Sequence, residues 1–467
     1  MRVALRPHGL LTNEAAVMTS SKGSTLRLSV EHMTYGADAI AHDEDGKAVF
    51  VVGAVAGDVV EARVVHSQKN YSRAMTTKVL EPSPQRVKSA CPFSEVCGGC
   101  PWAFLSYEAQ LKAKRDNLVD ALVRIGHMEP TVAQELVSPC VAPSKPWGYR
   151  NKVELAFKRQ GQRAVVGMHA RAEEGEKPSV IKVDSCPLLG GRSKKVVKAV
   201  SGALGYMAGS CDITLDRIGI RTSSKTGDLE IALWTAPGPF PRAQTAKVLA
   251  DATKATSIVR VLTKGQKKAR KVSGVEVLGG RGHWRERLGD NTMMLSAPSF
   301  FQVNTAGAQR LIELVLEGLC PTEDDEAMDL YCGAGTFTLP LAERCAWVSA
   351  VESYGPAVRD LRRNLDAAGL GNAEPIGGDA DREFPEGQAD VIVVDPPRAG
   401  LAPDVVKKLS AQPARAIAYV SCDPATLARD LARFASEGTF HPVRITPVDL
   451  FPQTYHVETV CLLAHKE

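Results

Sequence analysis

No stretch of the sequence reaches the ~18–20 consecutive apolar residues that a membrane-spanning helix needs, so no membrane passage is expected. The N-terminus carries Arg2 and Arg6 but has no apolar segment and no cleavage site behind them, so no export signal is visible. Internal repeats and long low-complexity tracts are also missing, which excludes solenoid and propeller arrays. Without export, the eleven cysteines read as free thiols, metal ligands or catalytic groups rather than disulfides. What remains is a globular chain expected in the cytoplasm, with ordinary shares of hydrophobic (44%) and charged (24%) residues. Its 467 residues are a prior for two to four domains.

Positive charge is scarce in one part of the chain. Residues 290–467 hold 14 Lys+Arg against 26 Asp+Glu, a net of −12, whereas residues 1–289 carry +16. Such asymmetry points to contact between the basic part and an anionic partner, nucleic acid above all. The excess lies in two stretches: 150–198, with 12 basic and 5 acidic residues, and 254–287, with 10 and 2.

Residues 1–21 read as an irregular tail. Over 22–85, short alternating runs such as Leu26-x-Leu28-x-Val30 and Val59–Val65 are separated by glycine turns, the pattern of a small OB-like β-barrel. Pro82-Ser83-Pro84 marks a linker. A helix is expected from Tyr107 to about Ile125, with Leu111, Leu118, Leu122 and Ile125 on one face. Residues 86–290 form a central α+β region, in which the helix within 101–130 is expected to lie on the last domain. Residues 291–467 alternate strand and helix, with strands at Ala327–Tyr331, Trp347–Val351, Val391–Val394 and Ala416–Val420, giving an α/β Rossmann-like parallel sheet.

The loop after the first of these strands reads Asp329-Leu-Tyr331-Cys-Gly333-Ala-Gly335-Thr336. It has neither the third glycine of a dinucleotide fingerprint nor the Gly-Lys-Ser/Thr of a P-loop. Glu352 ends the next strand, 17 residues after Gly335, where an acid can bind both ribose hydroxyls, and Asp379 follows a further strand. These features in order suit S-adenosylmethionine, whose sulfonium has no phosphate to be cradled.

Val391–Val394 runs into Asp395-Pro-Pro-Arg398, and Ala416–Val420 runs into Ser421-Cys422-Asp423-Pro424. Both place reactive groups at the carboxyl edge of the sheet, where open α/β folds keep their sites. A cysteine between a strand end and a helix start is a candidate nucleophile. Cys332, Cys345 and Cys461 lie inside apolar patterns and read as core. His456 and Glu458 stand two apart, which puts them on one face of an extended segment. Cys91-x5-Cys97-x2-Cys100 has ligand-like spacing, unlike the Cys-x3-Cys-x2-Cys of radical enzymes, and chemistry alone leaves zinc and iron–sulfur open.

Four ordered motifs resemble the RNA (uracil-5-)methyltransferases: Asp329-Leu-Tyr-Cys-Gly-Ala-Gly, Asp395-Pro-Pro-Arg, Ser421-Cys-Asp-Pro-Ala-Thr-Leu-Ala-Arg-Asp and Asp449-Leu-Phe-Pro-Gln-Thr-Tyr-His-Val-Glu458, with Phe300-Phe-Gln302-Val-Asn beside them. The likeness runs from about residue 24 onward. It implies a class I methyltransferase domain at 291–467, a TRAM-type barrel at 22–85 and a central iron–sulfur, RNA-binding domain at 86–290. It implies that Gln302, Tyr331, Thr336, Glu352, Asp379 and Asp395 surround S-adenosylmethionine, that Cys422 is the nucleophile and Glu458 the base. It implies that Cys186 joins Cys91, Cys97 and Cys100 around a 4Fe-4S cluster, with zinc as the competing occupant. The implied activity is methylation of C5 of one uridine in rRNA or tRNA through a Cys–C6 adduct, with no obligate protein partner. The alternatives are a methyltransferase of another target and a non-catalytic RNA-binding protein.

Overall fold

Six strands between Thr25 and Glu81 build the first sheet: β1 (Thr25–Ser29), β2 (His32–Met33), β3 (Ala39–His42), β4 (Ala48–Val52), β5 (Val59–Ser67) and β6 (Tyr71–Glu81). The computed structural model describes residues 21–161, 163–171, 177–190, 195–266 and 270–466. Most of the 1–21 tail, parts of the basic stretch 150–198, and Lys267 and Lys268 lie outside the described residues. The strand order is β1-β5-β6-β4-β3-β2, so consecutive β1 and β2 occupy opposite edges. Between them, Val30 N–H donates to Asp58 O on the β5 side and Glu31 N–H donates to Ile40 O of β3, which curls the sheet back on itself. Leu26, Leu28, Val60, Ala62 and Val64 alternate into its interior. Burial alone would raise the Asp58 carboxyl, but Arg86 and the backbone N–H groups of Ser83 and Val55 outweigh it and hold Asp58 below its usual range.

Met1–Arg86 and Val87–Glu467 are separate units. The second opens with α1 (Tyr107–Arg124) and α2 (Pro130–Leu136). A mixed sheet follows, built from β7 (Lys152–Gln160), β8 (Arg163–His169), β9 (Val180–Lys182), β10 (Arg217–Thr222), β11 (Leu229–Thr235), β12 (Ser257–Lys264) and β13 (Lys271–Gly280). Its order is β13-β12-β11-β10-β7-β8-β9. Helices α3 (Val196–Ser210) and α4 (Arg242–Thr253) share one apolar core with it. A hairpin, β14 (Trp284–Leu288) and β15 (Asn291–Leu295), leads into the last sheet.

That sheet comprises β16 (Glu326–Leu330), β17 (Trp347–Glu352), β18 (Ala373–Gly377), β19 (Val391–Val394), β20 (Ala416–Ser421), β21 (Phe440–Val448) and β22 (Glu458–His465). Its order is β18-β17-β16-β19-β20-β22-β21, with only β22 antiparallel to its neighbours. Helices α5 (Thr305–Leu319), α6 (Thr338–Ala342) and α7 (Gly355–Ala368) share the core on one face. Helices α8 (Pro403–Ser410) and α9 (Pro424–Glu437) share the other face with α1. Strands covered on both faces need continuous apolar runs, which is why β19 reads Val-Ile-Val-Val and is buried throughout. This is a class I methyltransferase fold.

Helix α1 departs from its expected face. Leu118 and Leu122 are buried, but Ile125 is exposed (43%), and the positions enclosed instead of Leu111 and Ile125 are Gln110 and Lys114. The reason is polar demand: both side chains bond to the loop between β21 and β22.

Candidate active site

The sheet changes direction between β16 and β19, and both strands end at the same edge, the crevice where open α/β sheets bind ligands. After β16 the chain turns through left-handed backbone at Tyr331 (φ 65°), Gly333 (φ 58°) and Gly335 (φ 101°). The two glycines serve different ends. A Cβ on Gly335 would lie 2.5 Å from Leu339 and 2.7 Å from Leu361, so this residue lets the following turn pack closely on α7. A Cβ on Gly333 would meet no protein atom within 4 Å; it would stand in open space at the mouth of the crevice, where a ligand backbone or side chain can pass.

Glu352, at the end of β17, accepts the Gly333 N–H at 3.0 Å and the Tyr354 N–H at 2.6 Å, and so holds the glycine loop open. Asp329 is fully buried; one carboxylate oxygen accepts Thr338 Oγ1 at 2.6 Å and the other has no partner among the described residues. Burial, with Asp395 and Glu352 nearby, pushes Asp329 up to about 7.

Cys422 and Glu458 meet through strand register. Ser421 pairs with Thr459 across β20 and β22, so the next residue outward on each strand is Cys422 on one side and Glu458 on the other. Asp423 then caps α9, accepting the N–H groups of Ala425 at 3.0 Å and Thr426 at 3.1 Å, which fixes the turn that presents the thiol. Burial raises the Cys422 thiol to about 12, and the charges of Glu458 and Asp395 add to that while Arg398 opposes it. Burial, then Asp395, raises Glu458 well above the carboxylate range, again against Arg398. Burial, then Glu352, raises Asp395 to about 7. Three acids thus share one water-poor corner, and a positive charge brought there favours the ionised form of each. His456 is lowered to about 4, first by burial and then by Arg398, Lys114 and Arg150, so its ring is neutral at ordinary pH.

Of the sequence-predicted cofactor residues, Tyr331, Thr336, Glu352, Asp379 and Asp395 stand at or just after strand ends along this edge. Tyr331 is half-buried, and Asp379, at an exposed turn after β18, is near enough for its charge to help raise the tyrosine, after burial. Gln302, between β15 and α5, is buried (5%) and its Oε1 has no partner among the described residues. Thr336 is half-buried in the glycine loop. Cys332, Cys345 and Cys461 are buried in the core as expected. Two further residues of the site, Arg398 and Asp329, carry weaker signals in the sequence: a charge two positions past Asp395-Pro for the first, and an acid near the end of a buried strand for the second.

Cys91, Cys97, Cys100 and Cys186 line one cavity of about 330 Å3, together with Arg150, Met168 and Leu188. Burial raises Cys100 to about 12, and the three other thiols contribute to the rise, so the four sulfurs are mutual neighbours. Among the described residues no three His, Cys, Asp or Glu side chains converge closely enough to hold a single ion. Arg150 is a guanidinium facing Cys100 and Cys186 and bonding Tyr149 Oη at 3.4 Å.

A family model described as tRNA (Uracil-5-)-methyltransferase matches residues 286–387 and 380–466, and a TRAM domain model matches residues 19–76. An uncharacterized RNA methyltransferase of Thermosynechococcus vestitus is 32% identical over 451 residues, 95% of this chain and 98% of the relative. One from Gloeobacter violaceus is 33% identical over 457 residues, 95% and 97% of the two chains. The chain belongs to the RNA (uracil-5-)methyltransferase family. Among solved structures, Pyrococcus abyssi tRNA (uracil-54, C5)-methyltransferase in complex with S-adenosyl-L-homocysteine is similar with a TM-score of 0.72 at 26% identity, covering 94% of this chain and 100% of that one.

For an RNA methyltransferase, the positive charge that remains after internal pairing matters more than the total. Much of the basic excess in 254–287 is satisfied within the protein. Arg260 is buried against Glu276, Arg281 and Arg285 both pair with Asp228, and Arg270 pairs with Asp216. Lys195, Lys225 and Lys254 line an open cavity of about 960 Å3, with Thr222, Ser223 and Thr305 beside them. Among the described residues no helix is long and apolar enough to cross a membrane.

Proposed function

We propose that this RNA methyltransferase uses S-adenosylmethionine to methylate C5 of a specific uridine, with Cys422 as nucleophile and Glu458 as base. The observation that carries the reading is the register of β20 and β22, which sets a thiol and a buried carboxyl side by side at the carboxyl edge of the parallel strands. The methyl donor, when bound, supplies a methyl group on a sulfonium. Gln302, Tyr331, Thr336, Glu352, Asp379 and Asp395 would hold it: the unpartnered Oε1 of Gln302 and the open space in front of Gly333 fit such a ligand.

Uracil C5 is too weak a nucleophile to take a methyl group unaided. Cys422 Sγ adds to C6; the C5–C6 π pair moves toward the C4 carbonyl, and C5 gains carbanion character. After C5 has taken the methyl group, Glu458 removes the C5 proton and the C6–S bond breaks, restoring the ring and the thiolate. Arg398 favours the ionised forms in which Cys422 attacks and Glu458 accepts the proton. A uracil stacked in a helix cannot reach the half-buried thiol, so the target is flipped out or already unpaired. The four cysteines at the 330 Å3 cavity would hold a 4Fe-4S cluster. Four thiolates suit a cluster or zinc by chemistry alone, and the likeness of the cysteine spacing to the family favours the cluster. The uracil chemistry needs no electron from it.

The test uses bulk RNA in which uridine is replaced by 5-fluorouridine. The fluorine cannot leave as a proton, so elimination stalls. An RNA adduct that survives a denaturing gel is expected for the wild type and none for Cys422→Ser. Full turnover by Cys422→Ser on ordinary RNA would refute the nucleophile assignment and favour a methyltransferase of another chemistry.

A further inference from the structure

The loop 449–457, which joins β21 to β22 and delivers Glu458, is held by side chains from far away in the chain. Lys114, fully buried on α1, donates to Asp449, also fully buried, and to the Phe451 carbonyl at 3.2 Å. Gln110, one turn earlier, accepts the Gln453 N–H at 2.8 Å and donates to Gln453 Oε1 at 3.1 Å. Gln453 has φ 73°, a left-handed conformation that a side chain disfavours, so the loop keeps its path because it is clamped.

The physical chemistry of the clamp speaks against a purely stabilising purpose. A buried ion pair replaced by apolar side chains of similar size is often no less stable, because desolvation offsets the Coulomb attraction. What a lysine and a glutamine offer, and leucines do not, is direction: each bonds to named atoms of one loop.

We propose that Lys114 and Gln110 are positioning residues for the base, fixing the loop 449–457 and through it the direction of Glu458 relative to Cys422. This rests on the roles given to Cys422 and Glu458 above. Cys422 is set independently by β20 and the Asp423 cap, so loosening the clamp spares attack and methyl transfer and slows the later removal of the C5 proton. A misplacement near 1 Å costs on the order of 10²-fold in a step of this kind.

The experiment compares the full chain with Lys114→Met, with Lys114→Met/Asp449→Leu and with Gln453→Gly. The substrate is bulk RNA from cells lacking the gene, with S-adenosylmethionine present. Single-turnover samples are read for gel-stable methylated RNA adduct and for released 5-methyluridine, beside a thermal melt. The double variant also takes the partners of the Phe451 N–H and carbonyl, so it is expected to melt slightly lower than the wild type but to stay folded, while it accumulates adduct and releases product on the order of 10²-fold more slowly. Gln453→Gly, which relaxes the left-handed turn without exposing a charge, gives the same readout should the lysine variants not fold; a several-fold slower release with adduct retained supports the inference. Wild-type release from the double variant or from Gln453→Gly overturns it and leaves the nucleophile and base assignments standing. Absence of any adduct from the wild type on 5-fluorouridine RNA overturns those assignments and the inference with them.

Discussion

The reactivity of Cys422 should depend on the charge of whatever fills the crevice. Without ligand, burial and two neighbouring carboxyls hold its thiol at about 12. At neutral pH the thiolate fraction is then on the order of 10⁻⁵, and alkylation by iodoacetamide should be slow and rise about tenfold per pH unit. A sulfonium adds one positive charge. The reaction itself sets its distance: a methyl group and two ring carbons stand between the donor sulfur and Sγ, about 6 Å in a near-attack arrangement. At an effective dielectric of about 20, unit charges 6 Å apart interact by about 3 kcal/mol, or about two pKa units. The same charge also helps ionise Asp395 and Glu458, whose new negative charges work against the thiolate. That competition reduces the gain to roughly tenfold.

The assay follows carbamidomethylation of the Cys422 peptide by mass spectrometry at about pH 7.5, with saturating S-adenosylmethionine, with S-adenosylhomocysteine, or with neither. The homocysteine form fills the same pocket without the charge, so steric protection cancels between the two ligands. The exposed Cys320 is an internal reference for a thiol on the surface. Expected is slow labelling without ligand, slow labelling with the neutral form, and labelling roughly tenfold faster with the sulfonium. Equal rates with the two ligands, or a ligand-free Cys422 that reacts as fast as Cys320, would refute the electrostatic account of the site.

The two crevice glycines should separate stability from cofactor affinity. Gly335→Ala collides with Leu339 and Leu361 on top of its left-handed backbone and should lower stability by about 2–4 kcal/mol in a denaturant titration, while Gly333→Ala meets no atom, should cost only the about 1 kcal/mol of its left-handed φ, and should raise KM for the methyl donor. Anaerobically purified protein should carry about four irons per chain, and Cys186→Ser should lose both colour and iron; stoichiometric zinc in the wild type would overturn the cluster. Replacing Lys225 and Lys254 by glutamate, at the cavity of about 960 Å3, should weaken RNA binding and flatten its salt dependence, as a filter-binding series across salt concentrations would show. The change in slope should be about 1.5, the share of two phosphate contacts.

The parts of this molecule that were legible in the sequence are those whose logic is local. Val391–Val394 and Ala416–Val420 announce doubly covered strands because each residue is buried by its own neighbours, and the group after each strand necessarily falls at the sheet edge. Gly333 and Gly335 announce a turn, although only the structure shows that one clears a path and the other seats a helix. Helix α1 was misread because a periodicity argument equates buried with apolar. Lys114 and Gln110 are buried because of partners 335 and 343 positions away, which no window of sequence contains. The same limit governs charge. A count over 254–287 cannot distinguish Arg260, 2% exposed and paired with Glu276, from Lys254, which lines an open cavity. The four cavity cysteines belong to the same class: Cys186 lies far from Cys91, Cys97 and Cys100 in sequence, and only the family resemblance joined it to them before the fold brought the thiols to one cavity. Long-range polar pairing is therefore where the sequence is silent, and it is also where this enzyme keeps the side chains that aim its catalytic loop.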